Sequence, residues 1–189
     1  MSETLKISHY LIISGIILIA GFGAGFALSV AEPEFGESLL KLFEEMVAGQ
    51  IMDNDPPMLA LQLFLNNLEA CVVIFIGGAF LGIISVAILL LNGVIIGAVL
   101  EILREEAGYL ALIAAIVPHG IFELPAVIAS GALGLMLGRA VKNEFAGGAD
   151  ASIEAWHLGK FFLKYIIPFV AIAAIVEAFI TPAVLQLVT

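Results

Sequence analysis

The longest uncharged run in the sequence holds 31 consecutive residues, 70–100, between Glu69 and Glu101. A helix needs about 20 apolar residues to cross the hydrocarbon core of a bilayer, whereas a strand of a membrane barrel needs only about 9–11. Apolar runs with at most one acid each also occupy residues 10–30, 109–138 and 161–187. The sequence therefore predicts an all-α fold, a polytopic integral membrane helical bundle with five or six membrane segments, some of them broken or re-entrant.

Composition agrees with a membrane location. The chain is 62% hydrophobic and has a mean hydropathy of +1.15, whereas soluble domains contain about 45–50% apolar residues. We therefore expect a multi-pass protein of the cell membrane whose main surrounding is the lipid bilayer. The net charge of −10, from 17 acids against 7 bases, is opposite to what nucleic acid attracts and excludes nucleic acid as a partner.

Charged residues and prolines divide the chain, as a single membrane domain, into five parts. They are a first span at residues 9–30, an acidic extramembrane segment at 31–57, a core at 58–138, a polar cytoplasmic link at 139–160 and a last span at 161–187. The first part resembles a secretory signal, but its uncharged run of 21 residues exceeds the usual apolar core of about 7–15. We therefore expect it to be the first membrane span.

The acidic segment contains an amphipathic stretch. Its apolar side chains recur at helical spacing, which predicts a helix along the membrane surface or across the end of the bundle. They are Phe35, Leu39, Leu42, Phe43, Met46 and Val47. The sequence DNDPP at residues 53–57 predicts the end of this helix, because consecutive prolines cannot continue it.

Two stretches predict interruptions of the core, namely Asn92-Gly93 and Pro118-His119-Gly120. The segments LLNGVIIGAVLEIL and VPHGIFELPAVIAS align at an offset of 27 residues with these stretches superposed. Paired broken helices of this kind are typical of some transporters, although apolar helices also resemble each other by chance. The alternative at Asn92-Gly93 is a loop at the membrane surface, which would add one segment and invert everything that follows.

Positive charge predicts the orientation. Lys and Arg near the ends of spans favour the cytoplasmic side, whereas acids contribute little. We therefore expect the N-terminus and six bases in the cytoplasm, and the acidic segment outside. The six are Lys6, Arg104, Arg139, Lys142, Lys160 and Lys164. With Arg104 and Arg139 on one side, residues 109–138 would enter the membrane and return, with His119 near the turning point.

The polar residues with the most chemical information are His119 and Glu123. Their spacing of four places both on one face of a helix, with β-carbons about 5–6 Å apart. This suits two ligands of a divalent metal such as zinc, or a carboxylate that orients an imidazole. A zinc site needs a third and usually a fourth ligand, for which Glu69 and Glu177 are weaker candidates.

Other residues are expected to complete this polar core. The polar members are Asn66, Asn67 and Asn92, and the residues expected to shape the backbone are Gly93, Pro118, Gly120 and Pro125. A charge at the bilayer centre costs about 3 kcal/mol by insertion scales, so the acids should pair with Arg104, Lys164 or a protonated His119. Three interpretations stay open: a polar cluster that fixes helix packing, a metal or ion site, and a site of proton-coupled transport or catalysis.

Three glycine pairs at four-residue spacing predict close helix packing. They are Gly78 with Gly82, Gly93 with Gly97, and Gly134 with Gly138. Such faces join helices within one chain or between the copies of a homo-oligomer, and the spacing does not separate the two. Other membrane proteins are further possible partners.

Three stretches of the core resemble the stage II sporulation protein M family of polytopic membrane proteins. They are Asn66-Asn67, LNGVIIGA at residues 91–98 and, most specifically, PHGIFELPAVIASGALGLMLG at residues 118–138. The resemblance covers roughly residues 60–182. It places seven residues at the signature positions of the family, Asn67, Asn92, Gly93, His119, Gly120, Glu123 and Pro125.

The resemblance implies a function only in outline. In spore-forming bacteria the named family member resembles a membrane scaffold that works with secreted cell-wall hydrolases, and many relatives elsewhere have no assigned activity. This chain departs from it in having little outside the membrane beyond the acidic segment and the polar link. We hypothesise a non-enzymatic scaffold, or an ion or solute transporter with a buried His/Glu/Asn site. The alternative is an intramembrane metal-dependent hydrolase, with His119 and Glu123 as ligands and Glu69 or Glu177 as base.

Overall fold

The computed structural model describes the backbone of residues 3–46 and 55–187, and the side chains of residues 7–42 and 55–187. Seven α-helices follow one another in this part of the chain: α1 (Glu3–Ala31), α2 (Pro33–Met46), α3 (Pro56–Ile76), α4 (Ile83–Phe145), α5 (Ala151–Phe161), α6 (Ile167–Phe179) and α7 (Thr181–Leu185). A 3₁₀ turn (Gly77–Ala79) follows α3, and a π-helical turn (Phe162–Ile166) joins α5 to α6. The described residues include no strand, so the all-α prediction is confirmed.

Four helical stretches are long and apolar enough to cross a membrane. They are Ile7–Ala31, Pro56–Ala79, Ile83–Phe145 and Ala151–Phe179. This confirms a helical membrane protein. The predicted amphipathic helix appears as α2, whose Gly36 packs on Ile102 of α4. The side chains of Lys6, Phe43 and Met46, and the whole of Val47 with residues 48–54, lie outside the described residues.

The helix α4 has 63 residues and would be about 95 Å long if it were straight. Its backbone is broken at Gly108, where φ is 80° and ψ is 172°, a conformation that only glycine adopts readily. The two parts, α4a (83–107) and α4b (109–145), then run antiparallel. Gly138 lies against Gly82, Gly134 against Ser85 and Gly131 against Leu89, so positions approach each other in reverse order. The α4 hairpin raises the number of membrane segments to five.

The predicted interruptions at Asn92-Gly93 and Pro118-His119-Gly120 are wrong. Both stretches lie inside continuous helix, and Gly108 is the residue with non-helical dihedral angles within α4. A proline is tolerated in a membrane helix because neighbouring groups satisfy the carbonyl that it leaves free. The alternative surface loop at Asn92-Gly93 is likewise excluded, because the backbone there is helical.

The bundle has two ends, which we name the link end, after the polar link, and the acidic end, after the acidic segment. The link end holds the beginning of α1 and the polar link, where the Arg139 guanidinium donates a hydrogen bond of 3.5 Å to the Tyr10 hydroxyl. The acidic end holds α2 and the Gly108 break. Arg104, four residues before that break, is therefore at the opposite end from Arg139. The expected re-entry of residues 109–138 is wrong, because α4b crosses from the acidic end to the link end.

Glycines allow α1 and α4a to lie side by side in parallel. A β-carbon on Gly25 would collide with the carbonyl of Val94, and one on Gly97 would collide with the carbonyl of Phe22. Gly78 similarly packs against the backbone of Gly134. All three predicted glycine pairs are thus covered by helices of the same chain, and a homo-oligomer through these faces stays a prediction.

The main cluster of buried apolar side chains lies in the half of the bundle near the link end. Its fully buried members come from α3, α4a, α4b and the α5–α6 region, and include Cys71, Ile74, Leu89, Leu133, Ile166 and Val170. The rings of Phe75 and Phe162 stack there at 5.4 Å between centroids. Toward the acidic end the same helices separate around a cavity.

A candidate binding site inside the bundle

The cavity has a volume of about 450 Å³ and is lined by all five membrane segments. Most of its wall is apolar, with side chains that include Leu18, Phe22, Leu63, Ile96, Leu103 and Ile116. Five polar residues also line it: Asn66 and Asn67 from α3, His119 and Glu123 from α4b, and Glu177 from α6. A largely apolar cavity with a few convergent polar groups is the usual form of a small-molecule site.

Local helix geometry positions the polar side chains. His119 and Glu123 lie one turn apart on the same face of α4b, about 16 Å along the helix from Gly108. Glu177 belongs to the last turn of α6, and Asn66 and Asn67 lie midway along α3. Their positions in three different helices mean that the group forms only when the bundle is assembled.

His119 lies between two carboxylates. Its Nδ1 contacts Oε2 of Glu177, and its Nε2 is 3.9 Å from Oε2 of Glu123. The exposed fractions of the three side chains are 20%, 34% and 28% for His119, Glu177 and Glu123, which are partial values because the side chains face the cavity. The arrangement is a carboxylate–imidazole–carboxylate series, in which each ring nitrogen faces a different acid.

Of the other predicted site residues, all of which are described, only Gly93 and Gly120 line the cavity. Glu69 is exposed and does not line the cavity. The Asn92 amide donates a hydrogen bond of 2.9 Å to the carbonyl of Ile88 in its own helix. Pro118 and Pro125 are within helical α4b, outside the cavity wall. Gly93 and Gly120 do line the cavity, where their lack of a side chain leaves space.

The expected cationic partners of the acids are engaged elsewhere. Arg104 forms two hydrogen bonds of 2.7 Å to the carboxylate of Glu101, a residue that is only 2% exposed. The ammonium group of Lys164 lies 5.1 Å from the ring centre of Tyr165. No Lys or Arg side chain lines the cavity in the part of the chain that is described. His119 is therefore the cationic partner available to Glu123 and Glu177.

The donor set does not favour a metal. Among the residues whose side chains are described, no group of three or more His, Cys, Asp or Glu is arranged to hold a metal ion. The two ring nitrogens of His119 point to different carboxylates. A metal bound to either nitrogen would therefore have only one of the two acids, Glu123 or Glu177, beside it. Zinc would need at least a third ligand on the same side.

Two features had weak sequence signals. The ion pair of the buried Glu101 with the partly exposed Arg104 has three-residue spacing, which marks neighbours on a helix surface but does not reveal the burial of Glu101. The apolar wall supplied by α1 gives no signal, because lipid-facing and cavity-facing apolar residues look alike.

A second, more open depression of about 560 Å³ at the link end contains Arg139, Asp150 and Glu154, and none of the predicted site residues.

Comparison with known proteins identifies the family. The model of the family described as stage II sporulation protein M matches residues 10–182. The chain belongs to the stage II sporulation protein M family. No curated protein and no solved structure matches the chain. The match begins within α1, whereas the resemblance was expected only from residue 60 onward. It includes all three helices that carry the polar group.

Proposed function

We propose that this family member is a non-enzymatic carrier of a small solute, and that the cavity is its binding site. The observation that carries the proposal is the convergence of His119, Glu123 and Glu177 on a space shared by all five membrane segments. Ionisable groups within a membrane are costly and commonly mark the path of a substrate or proton. A scaffold would need no internal space of this size.

The polar series also supplies a way to couple transport to protons. His119 can hold a proton on the nitrogen that faces Glu177 or on the one that faces Glu123. Gaining or losing that proton changes the charge of the site by one unit. A site whose charge changes in this way binds its solute with different affinity in its two states, which is the requirement for coupling.

Neither hydrolysis nor metal chemistry gains an observation in its favour. Hydrolysis by the predicted route needs His119 and Glu123 on one metal with Glu69 or Glu177 as base. Glu69 is outside the cavity, and Glu177 is engaged with His119. The carrier is therefore the function that the geometry supports best.

Thiol accessibility tests this proposal without knowledge of the solute. Ala115 lines the cavity one turn before His119, whereas Ala132 on the same helix is 1% exposed in the packed core. The native cysteine, Cys71, is fully buried and contributes little background. A membrane-impermeant methanethiosulfonate reagent should modify Ala115→Cys when added to either side of sealed vesicles, because a carrier opens alternately to both sides.

The matched variant Ala132→Cys should remain unmodified from both sides. Reaction of Ala115→Cys from one side only, or from neither, would contradict a carrier. Equal reaction of both variants would show that labelling reports unfolding.

A further inference from the structure

The charges at the polar end of the cavity define the charge of its ligand. Two carboxylates, Glu123 and Glu177, and one imidazole line this end, with no Lys or Arg among the described lining residues. With both carboxylates ionised, the net charge is −1 when His119 is protonated and −2 when it is neutral. Because the surroundings are apolar, this charge is only weakly screened, so an anion is repelled and a cation is attracted.

The size and wall of the cavity define the rest of the ligand. A volume of about 450 Å³ equals roughly 15 water molecules at about 30 Å³ each. A bare inorganic cation would leave the apolar wall from α1 and α4a without contacts. Phe22 also lines that wall, and aromatic rings attract organic cations. A ligand with an ammonium group and an apolar body would contact both the polar end of the cavity and its apolar wall.

We propose that the cavity binds a small lipophilic organic cation in exchange for a proton. The charged group lies at the polar end of the cavity, beside the carboxylates of Glu123 and Glu177, and the apolar body extends along α1 and α4a. This rests on the proposed function, since it names the solute class of the same site. When the cation enters, His119 releases its proton to water and the net charge of the occupied site stays at −1. The exchange is one proton for one cation.

The groups that face His119 make this coupling specific. From α4b it faces Glu123 and from α6 it faces Glu177. From α3 the cavity receives the uncharged amides of Asn66 and Asn67, and the described lining residues of α1 and α4a are not titratable. Glu101 of α4a is held by Arg104 and does not line the cavity. Among the described residues that line the cavity, His119 and its two acids are therefore the groups that can exchange protons.

The test uses benzyltrimethylammonium, a permanently charged probe with an aromatic body, and its neutral isostere neopentylbenzene. Equilibrium dialysis against the purified full-length protein should give saturable binding of the ammonium probe. Its affinity should rise about tenfold for each pH unit while His119 of the empty site is protonated, and should level off once His119 has lost its proton. Glu123→Gln and Glu177→Gln should each weaken binding at least tenfold, whereas Glu69→Gln, which alters an acid outside the cavity, should not.

The outcomes separate this inference from the proposed function. If only neopentylbenzene binds, or if the ammonium probe binds equally well to all three variants, the cation proposal is overturned while the cavity remains a binding site. If neither probe binds, the cation proposal is overturned. If Ala115→Cys reacts from one side only or from neither, the proposed carrier function is overturned as well. The pH dependence is measured on the unmodified chain, so affinity that is constant with pH overturns proton exchange even if a variant fails to fold.

Discussion

Two glycines of α1, two residues apart, should respond in opposite ways to the same substitution. At Gly25 a β-carbon would collide with the backbone carbonyl of Val94, whereas at Gly23 nothing lies within 4 Å. Replacing glycine by alanine stabilises an exposed helix interior by about 0.8–1 kcal/mol, and this gain is common to both sites. Overpacking against backbone costs about 1–3 kcal/mol, because no side chain can rotate away.

Gly25→Ala should therefore be less stable than Gly23→Ala by about 1–3 kcal/mol, with Gly23→Ala equal to or slightly above the unmodified protein. The free energy of unfolding in mixed detergent and sodium dodecyl sulfate micelles, followed by circular dichroism, measures this difference. A Gly25→Ala variant as stable as the unmodified protein would refute the close parallel packing of α1 on α4a. A loss at Gly23 equal to that at Gly25 would show that both faces of α1 are packed.

Two further predictions concern the ends of the bundle. The hydroxyl and the backbone N–H of Ser152 donate to the Asp150 carboxylate and hold its pKa below the usual range. This stabilisation of the α5 start should be complete above about pH 4 and lost as the pH falls through the lower folded-state pKa. Fluorescence of Trp156, the only tryptophan, should follow that loss, and an unchanged acid transition in Asp150→Asn would contradict the assignment. The orientation in the membrane is tested with an impermeant thiol reagent. Ala149→Cys should react only from the cytoplasm and Glu34→Cys only from outside, because the link end carries more basic residues. The reverse pattern of reaction would show that the orientation is opposite to the predicted one.

The helical membrane fold was predictable because long uncharged runs have few alternatives. The place of the central break was not, because Pro118 and the Asn92-Gly93 pair are stronger general signals of interruption than Gly108. The structure keeps helix through both stretches and uses Gly108, which lies beside Arg104 in a polar stretch where a turn can reach water. The position of charged residues therefore predicts the place of this break better than the presence of residues that commonly interrupt helices.

The candidate site was predictable only where its residues share a helix. Spacing alone places His119 and Glu123 on one face. The contact of His119 with Glu177 depends on how α6 packs on α4b, which no local pattern specifies. Asn92 looked equivalent to Asn67 in sequence, yet its amide bonds to its own helix, because α4a turns it away from the cavity.

The site depends most on the direct interaction of His119 with Glu177 within the assembled bundle. A double-mutant cycle of His119→Ala and Glu177→Ala, read as the free energy of unfolding, tests it against a control cycle of His119→Ala and Glu69→Ala. We predict a coupling of about 1–2 kcal/mol for the first pair, because a charge-assisted hydrogen bond is stronger than the average contact between membrane helices. The control pair should be additive to within about 0.3–0.5 kcal/mol. Additivity of His119 with Glu177 would contradict the site.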